Sequence, residues 1–170
     1  MATQAETEAK IRRLEDIEAI RQLQHKYFRC IDCKLFDELQ DCFADNVKTD
    51  YDGWIAANGK AALMKGFREG PVANVKQITV HDAHNPEIEL TSDTTAKGIW
   101  RFSDYLIYVD TGKGVRGAGI HYDEYVKVNG KWMITLASFK RVFEESFDRK
   151  ADKSLKLNKA AEYPLKFPAK

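Results

Sequence analysis

The sequence predicts an α+β fold in which a curved, mixed or antiparallel sheet wraps around N-terminal helices. Helical periodicity dominates the first part of the chain, and from about residue 76 onward the chain consists of long strand-like stretches separated by short turns. Helices followed by antiparallel strands are typical of this class. A sheet curved around the first helices would form a cone with a closed floor and one open mouth, which suits a small molecule.

The helical part begins with residues 8–31, where apolar residues recur at three- and four-residue steps. This periodicity places Tyr27 on the apolar face. A short second helix is expected at about 33–43, with Asp32 at the junction, where a carboxylate can cap a helix N-terminus. A third helix is expected near 60–69. The apolar positions of the first helix are Ile11, Leu14, Ile17, Ile20, Leu23, Tyr27 and Ile31.

Alternating stretches and turn signals predict the strands. The first is expected from Val47 to Ile55, and the last hairpin is expected at Asn129-Gly130, a strong two-residue turn signal. The lysine-rich end, from about 150 to 170, is expected to form an extended arm that packs on the body or on a neighbouring subunit. The remaining strand candidates are 76–84, 86–91, 95–109, 115–128 and 131–147.

Length and composition predict one soluble domain spanning residues 1–170. The chain has 170 residues, 44% hydrophobic and 31% charged, which allows one domain with a real core. The 27 basic and 26 acidic residues give a net charge of +1, so there is no electrostatic case for nucleic acid or an anionic membrane. No stretch approaches the roughly 20 apolar residues of a membrane span, and no signal peptide is evident, so a cytoplasmic location is expected.

The candidate metal and redox motifs are weak. Cys30-x-x-Cys33 has the spacing of zinc or redox sites, but no second ligand pair accompanies it, so core-facing thiols are expected. His81-x-x-His84 lies on a predicted strand, where residues three apart point to opposite faces, which is poor for shared ligation. The glycines form no phosphate loop or dinucleotide motif. We therefore expect no metal and no organic cofactor.

Two charged residues lie on predicted core faces. Strand alternation puts Asp104 on the same face as Trp100, Phe102 and Leu106. Arg141 is similarly placed, with Met133, Ala137, Phe139 and Phe143 expected on its face. Charges on core faces are costly unless they are paired or used. A buried Asp104–Arg141 pair is expected, and the pattern leaves open whether it is structural or catalytic.

His81 is a candidate general base. Its position alternates with Ile78 and Val80 and matches Thr79, so periodicity does not decide which way its side chain points. Histidine is the best general base near neutral pH, and it improves when a carboxylate orients one ring nitrogen. Asp32 is the obvious carboxylate. Plain structural roles, as a strand histidine and a helix cap, remain open for both residues.

With these residues in view, the chain resembles the SnoaL-like members of the NTF2-like (cystatin-like) superfamily from about residue 11 to 150. Within that superfamily the resemblance is greatest to bacterial bile acid 7α-dehydratases; scytalone dehydratases and hexachlorocyclohexane dehydrochlorinases are more distant. The segments that carry it are Asp16-Ile-Glu-Ala-Ile20, Lys26-Tyr-Phe-Arg-Cys-Ile-Asp32, His81-x-x-His84-x-Pro-Glu-Ile88, Thr94-Thr-Ala-x-Gly-x-Trp100, Gly130-Lys-Trp132 and Arg141-x-x-Glu-Glu-x-Phe-x-Arg149.

The resemblance implies a cofactor-independent dehydratase, a carbon–oxygen lyase that eliminates water from a steroid-like or other polycyclic hydroxy-ketone. It implies His81 as the base and Asp32 as its orienting partner. The leaving hydroxide needs a proton, and the residues offer Tyr27 or the protonated His81 as its donor. Cys33-Lys34, residues 51–60 and the C-terminal arm depart from the family pattern, which leaves the substrate open. The implied catalytic positions are Tyr27, Asp32, His81, Asp104 and Arg141.

Two other functions remain open at this point: a related dehydrohalogenase or ketosteroid-type isomerase, and a non-catalytic protein that binds a small hydrophobic ligand. The resemblance also implies a homo-oligomer, as a trimer or alternatively a dimer. The odd-numbered face of residues 115–127, with Gly117, Gly119, His121 and Tyr125, is a candidate for the contact between copies.

Overall fold

The computed structural model describes residues 2–53 and 56–165, which form three α-helices and six strands. Two short 3₁₀ turns, Gln40–Cys42 and Pro71–Ala73, follow α2 and α3. The helices are α1 (Gln4–Asp32), α2 (Phe36–Leu39) and α3 (Lys60–Glu69); the strands are β1 (Phe43–Tyr51), β2 (Ala56–Asn58), β3 (Gln77–Leu90), β4 (Thr95–Tyr108), β5 (Lys113–Val128) and β6 (Lys131–Asp148).

The strands form one mixed sheet in the order β2-β1-β6-β5-β4-β3. Within this sheet of described residues, β1 and β6 are parallel and the other neighbouring pairs are antiparallel. One face of this sheet covers the C-terminal half of α1, and residues from both meet in the hydrophobic core. The predicted α+β cone with a mixed sheet is confirmed.

Helix α1 begins earlier than the periodicity predicts. Thr3 and Glu6 form a capping box, which satisfies backbone donors at the helix start. The N-terminal half of the helix is exposed, and Ile11 and Leu14 are 50% and 66% accessible. Burial starts at Ile20, because only the second half of the helix lies against the sheet.

The segments around the first and third strands differ from expectation. The predicted helix at 33–43 is only the short α2 and a 3₁₀ turn. Strand β1 begins at residue 43 instead of 47 and ends at residue 51, before a turn at Asp52-Gly53; the predicted end, Ile55, lies outside the described residues. The candidates 76–84 and 86–91 are one strand, interrupted by a register shift where Asn85 has a positive φ of 47°. Pro86 follows there and has no N–H to donate to the ladder.

Two bulges in β6 change which of its side chains face the core. Thr135 and Val142 are extra residues opposite β5, because the register shifts at both positions. A bulge leaves one residue unpaired and reverses the alternation beyond it. The prediction that Met133 and Phe143 share the face of Arg141 is therefore wrong; Phe143 is 47% exposed.

The same bulges explain why the expected contact face of β5 is wrong. A regular hairpin at Asn129-Gly130 pairs odd residues of β5 with even residues of β6, but beyond Thr135 odd residues pair with odd ones. Ala137, Phe139 and Arg141 face the core, so the odd-numbered face of β5 does as well. His121 and Tyr125 are buried inside the chain and cannot form a contact between copies.

The C-terminal arm packs on the body beside the end of α1. The Leu165 N–H donates to the Cys33 carbonyl at 3.2 Å, and the Lys34 ammonium lies 4.9 Å from the Tyr163 ring centroid. Residues 166–170 of the predicted arm lie outside the described part. All three cysteines are free and buried. No helix in the described ranges combines the length and apolar character needed to cross a membrane.

Candidate active site

A cavity of about 160 Å³ lies between α1, the segment after α3 and the inner face of β3–β6. Most of its wall is aromatic or aliphatic, including Phe28, Phe102 and Phe139. The polar groups on the wall are few and are therefore conspicuous. They include Tyr27, Tyr51, Gln77, Thr79, His81, Asp104, His121, Arg141 and Glu144.

Asp32 holds His81 by both its backbone and its side chain. One carboxylate oxygen accepts from the His81 N–H at 2.8 Å, and the other lies 2.6 Å from His81 Nδ1 and accepts from the Thr79 hydroxyl at 2.8 Å. A carboxylate accepts hydrogen bonds, so Nδ1 carries a hydrogen and the neutral ring keeps its lone pair on Nε2. Among the described residues, no hydrogen bond occupies that Nε2.

This arrangement overturns the helix-cap interpretation of Asp32. Asp32 is the last residue of α1, and the N-cap position of α2 is Leu35, which makes no side-chain cap. The His81 side chain points inward with Thr79, which settles the direction that periodicity left open. His84 lies on the outer side of β3, exposed, with its Nε2 3.3 Å from the Ser103 hydroxyl.

Tyr27 and Tyr51 form a hydrogen-bonded pair on the cavity wall, with 2.7 Å between their hydroxyl oxygens. Burial raises the pKa of Tyr27 well above its ordinary value, and burial likewise raises the pKa of Tyr51. Both phenols therefore stay protonated at neutral pH. One hydroxyl can donate to the other, which leaves one O–H free to bind an oxygen atom in the cavity. Tyr51 is a site residue that the sequence reasoning missed.

Asp104 and Arg141 form a bidentate ion pair. Arg141 Nη1 donates to Asp104 Oδ1 and Nη2 donates to Oδ2, each at 2.7 Å. The residues lie on β4 and β6, so their side chains meet across the intervening β5. This crossing is possible because Gly117 has no side chain: a Cβ there would lie 2.4 Å from Arg141 Nη1. Burial alone would lower the pKa of Arg141, but the bonds to Asp104 outweigh burial and raise it. The predicted pair is confirmed as a contact.

The structure brings the five predicted residues to one place. Tyr27, His81, Asp104 and Arg141 line the cavity, and Asp32 stands directly behind His81. His81 and Asp104 are direct neighbours across β3 and β4. The contacts are consistent with the proposed assignments, and the catalytic role of each residue remains a prediction.

His121 is a buried polar residue that the sequence reasoning placed on the wrong side of the sheet, and Asp123 lies beside it on the same inner face. His121 lines the cavity and its Nδ1 lies 3.2 Å from an Asp123 carboxylate oxygen. The sequence contains a signal for the inward placement of His121. Alternation puts His121 on the same face as Gly117 and Gly119, where the missing side chains leave room for inner-face side chains of the neighbouring strands.

The described residues contain no group of three or more histidine, cysteine, aspartate or glutamate side chains placed to hold a metal. The cavity wall carries two histidines, each paired with a carboxylate behind it, together with an aspartate–arginine ion pair and a pair of phenols. The chemistry that this arrangement supports directly is proton transfer.

Comparison with known proteins gives the class. Residues 12–137 match the SnoaL-like domain model, so the chain belongs to the SnoaL-like family of the NTF2-like superfamily. The structure resembles a candidate scytalone dehydratase of Novosphingobium aromaticivorans, with a TM-score of 0.74, 19% identity and coverage of 94% of this chain and 99% of that chain.

Two further structures share the fold. A hexachlorocyclohexane dehydrochlorinase of Novosphingobium barchaimii has a TM-score of 0.73 and 17% identity, and covers 81% of this chain and 94% of its own. An NTF2-like protein with a cystatin-like fold from Novosphingobium aromaticivorans has a TM-score of 0.68 and 17% identity, and covers 84% of this chain and 92% of its own. At these identities the likeness shows the fold.

Proposed function

We propose that this protein is a cofactor-independent dehydratase that eliminates water from a cyclic hydroxy-ketone. The observation that carries the proposal is His81, which Asp32 fixes through Nδ1 while its Nε2 is free beside an apolar cavity. A base of this kind can remove a weakly acidic proton from carbon, because the dry surroundings weaken competing hydration and the aspartate stabilises the imidazolium that forms. Its SnoaL-like family membership supports the same chemistry.

The reaction uses the residues in named roles. His81 takes a proton from the carbon next to the carbonyl, or from the γ-carbon of an enone, and the electron pair moves toward the carbonyl oxygen. The Tyr27–Tyr51 hydroxyl pair donates a hydrogen bond to that oxygen as charge develops there. The enolate then expels the hydroxyl group, which leaves as water after it receives one proton, and a carbon–carbon double bond forms.

The cavity volume limits how the substrate binds. A cavity of about 150 Å³ holds a benzene-sized ligand, and this one encloses about 160 Å³. We propose a steroid-like or other polycyclic hydroxy-ketone, of the type that bile acid 7α-dehydratases act on, with the reacting part inside and the remaining rings at the mouth. Several aromatic rings line the cavity and suit such an apolar ring system.

The test compares His81→Asn with His84→Asn, a matched change of the exposed histidine on the same strand. Two probes cover the size range: β-hydroxycyclohexanone, and a steroid with a 7α-hydroxyl group and a ring-A enone. Turnover is followed by product mass and by the absorbance of the newly conjugated product, which is an enone from the cyclohexanone and a dienone from the steroid. His81→Asn is expected to lose about 10²–10⁴-fold in rate, and His84→Asn is expected to keep the wild-type rate.

Product mass also separates the alternatives. Loss of water supports a dehydratase, and unchanged mass with a shifted double bond supports an isomerase. Each probe is also supplied with chlorine in place of the hydroxyl group, and turnover of only these chloro-ketones supports a dehydrohalogenase. Binding of both probes without any turnover by the wild-type protein would mean that the cavity only binds ligands. An unchanged rate in His81→Asn would refute the assignment of the base.

A further inference from the structure

A second histidine–aspartate pair faces the same cavity from strand β5. His121 is 3% exposed and Asp123 is 2% exposed, and the two lie on the inner face of the strand. His121 Nδ1 is 3.2 Å from Asp123 Oδ1. The mechanism described above does not use this pair.

Asp123 is anchored so that it orients the His121 ring. Its carboxylate accepts from the Gln24 amide at 3.0 Å and from the Ser138 backbone N–H at 3.2 Å. The Tyr125 hydroxyl donates to Gln24 Oε1 at 3.1 Å, and Trp100 donates to that hydroxyl at 2.8 Å. This network fixes Nδ1 of His121 toward Asp123. Its Nε2, on the other side of the ring, has no hydrogen-bond partner among the described residues and is left for the cavity.

The charges around the two pairs differ. The negative charge of Asp32 favours the charged form of the buried Lys34 side chain. The Lys34 Nζ donates a hydrogen bond to the Val72 carbonyl at 2.8 Å. Among the described residues, Asp123 has no lysine or arginine within ion-pair distance, and His121 is the one basic side chain there. A buried carboxylate is costly without a counter-charge. Asp32 therefore has a lysine in its surroundings, whereas the compensating group beside Asp123 is His121.

The two imidazoles are separate groups that share a neighbour. The Phe28 ring centroid lies 5.6 Å from that of His81 and 5.4 Å from that of His121. Both rings line the cavity, which is the size of one six-membered ring. A substrate between them can present its acidic C–H to one histidine and its hydroxyl group to the other.

We propose that His121 is the general acid of this site, a second catalytic residue that protonates the departing hydroxyl group, with Asp123 as its positioning residue. This inference rests on the proposed dehydratase function. As His81 Nε2 takes the carbon-bound proton, the C–O bond breaks with its electron pair on oxygen, and that oxygen takes the Nε2 proton of His121 to form water. After release, a proton returns from His81 to His121 through solvent, so the enzyme is unchanged overall.

The test separates the two proton transfers by changing the leaving group. β-Hydroxycyclohexanone needs protonation of its leaving group, β-chlorocyclohexanone does not, and cyclohexanone in D₂O reports C–H exchange alone. Wild type, His121→Gln and the exposed-site control His84→Gln are compared on all three, after subtraction of the uncatalysed rates. The same three leaving-group types on the ring-A enone steroid repeat the comparison on the larger scaffold.

Loss of a general acid predicts a selective defect. His121→Gln should lose about 10²–10⁴-fold in hydroxide elimination, while chloride elimination and C–H exchange stay close to wild type. The retained exchange also shows that the variant is folded with a working base. Equal losses on all three probes would overturn the proposal, because they would place His121 at the carbonyl oxygen or in a purely structural role; an unchanged hydroxide rate would overturn it as well.

Asp123→Asn tests the positioning role against Glu124→Gln, a carboxylate one residue away on the outer face. Asp123→Asn should reproduce the leaving-group selectivity of His121→Gln, and Glu124→Gln should show none. A wild-type protein that eliminates neither hydroxide nor chloride refutes the proposed function itself. A wild-type protein that eliminates hydroxide, with an unaffected His121→Gln variant, refutes only the role of His121.

Discussion

Single residues in this site are each held by a specific partner. The Nδ1 atoms of His81 and His121 each lie within hydrogen-bond distance of an aspartate, Asp32 and Asp123 respectively. Asp104 and Arg141 form a bidentate ion pair. Buried charges need such partners, because the loss of hydration costs more than an isolated charge can recover. The stability of the site therefore depends on pairs rather than on individual side chains.

Removal of one member of the Asp104–Arg141 pair is expected to be costly. Asp104→Asn leaves the guanidinium largely buried, with Glu144 3.5 Å from its Nε and Asp52 as a further anion nearby. The free energy of unfolding in urea should fall by about 3 kcal/mol.

The matched control is Asp45→Asn. It removes the negative charge of a carboxylate that pairs with Lys60 and whose side chain is 96% exposed. Its cost should stay within about 0.5 kcal/mol, because exposed pairs contribute little. Equal costs for the two variants would show that the buried pair does not stabilise the fold.

At the scale of elements, β5 determines the shape of the site through the residues it omits. Gly117 and Gly119 lie on its inner face, where side chains from β4 and β6 occupy the space above them. Arg141 and Asp104 meet above Gly117, and the Phe102 ring lies over Gly119. The strand also supplies His121 and Asp123 on the same face. Its glycines therefore leave space for side chains of the neighbouring strands, and its polar residues add a histidine–aspartate pair to the site.

Gly117→Ala tests this use of space. The new Cβ would lie 2.4 Å from Arg141 Nη1, 2.9 Å from the Phe143 carbonyl oxygen and 3.1 Å from Asp104 Oδ1. Because one of these contacts is backbone, the strands must shift, and the unfolding free energy should fall by about 1–3 kcal/mol with loss of activity.

Gly114→Ala on the same strand is the control, since its Cβ would meet only ring atoms of Phe147, which can turn aside. It should cost less than about 1 kcal/mol. If Gly117→Ala were as mild as this control, the crossing of the ion pair above β5 would not need the missing side chain.

At the scale of the whole molecule, the core contains weak acids that burial keeps protonated. Burial raises the pKa of Cys30 to about 11 and that of Cys42 to about 12, against an ordinary value of 9.0. Burial also raises the pKa values of Tyr27 and Tyr51. Above about pH 9 the unfolded chain therefore binds fewer protons than the folded one, and stability falls as the pH rises.

Cys42→Ala is expected to flatten this alkaline loss of stability. A raised folded pKa costs about 1.4 kcal/mol per pH unit between the unfolded and folded values, so Cys42 accounts for about 2 kcal/mol between pH 9 and 10.5. Urea unfolding at pH 8 and pH 10.5 measures the difference for each protein. Lys34, whose pKa burial lowers, cancels in the comparison. An equal alkaline loss in wild type and Cys42→Ala would contradict the prediction.

Association between copies stays a prediction, either as a trimer or as a dimer. The inner face of β5 is excluded as the contact, because His121 and Tyr125 are buried within one chain. The outer side of the sheet exposes Ile99, Tyr122 and Val142 instead.

Patterns that repeat along the chain could be predicted well. Residues 60–69 form the expected third helix, and the Asn129-Gly130 turn joins β5 to β6 as expected. The inward placement of Tyr27 and Asp104 also follows from periodicity, because each belongs to a long regular element. Irregular positions could not be predicted, since the bulges at Thr135 and Val142 depend on pairing with β5 rather than on local sequence.

The sequence by itself determined the class of fold, the family and the five residues Tyr27, Asp32, His81, Asp104 and Arg141 as candidates for one site. Local periodicity and short motifs carry that information, since they depend on neighbours along the chain. Only the tertiary structure decided that Asp32 binds His81 instead of capping a helix, and that His121 faces the cavity. Both depend on contacts between distant segments, and a single extra residue in β6 reverses the face that its neighbouring strand presents to the core.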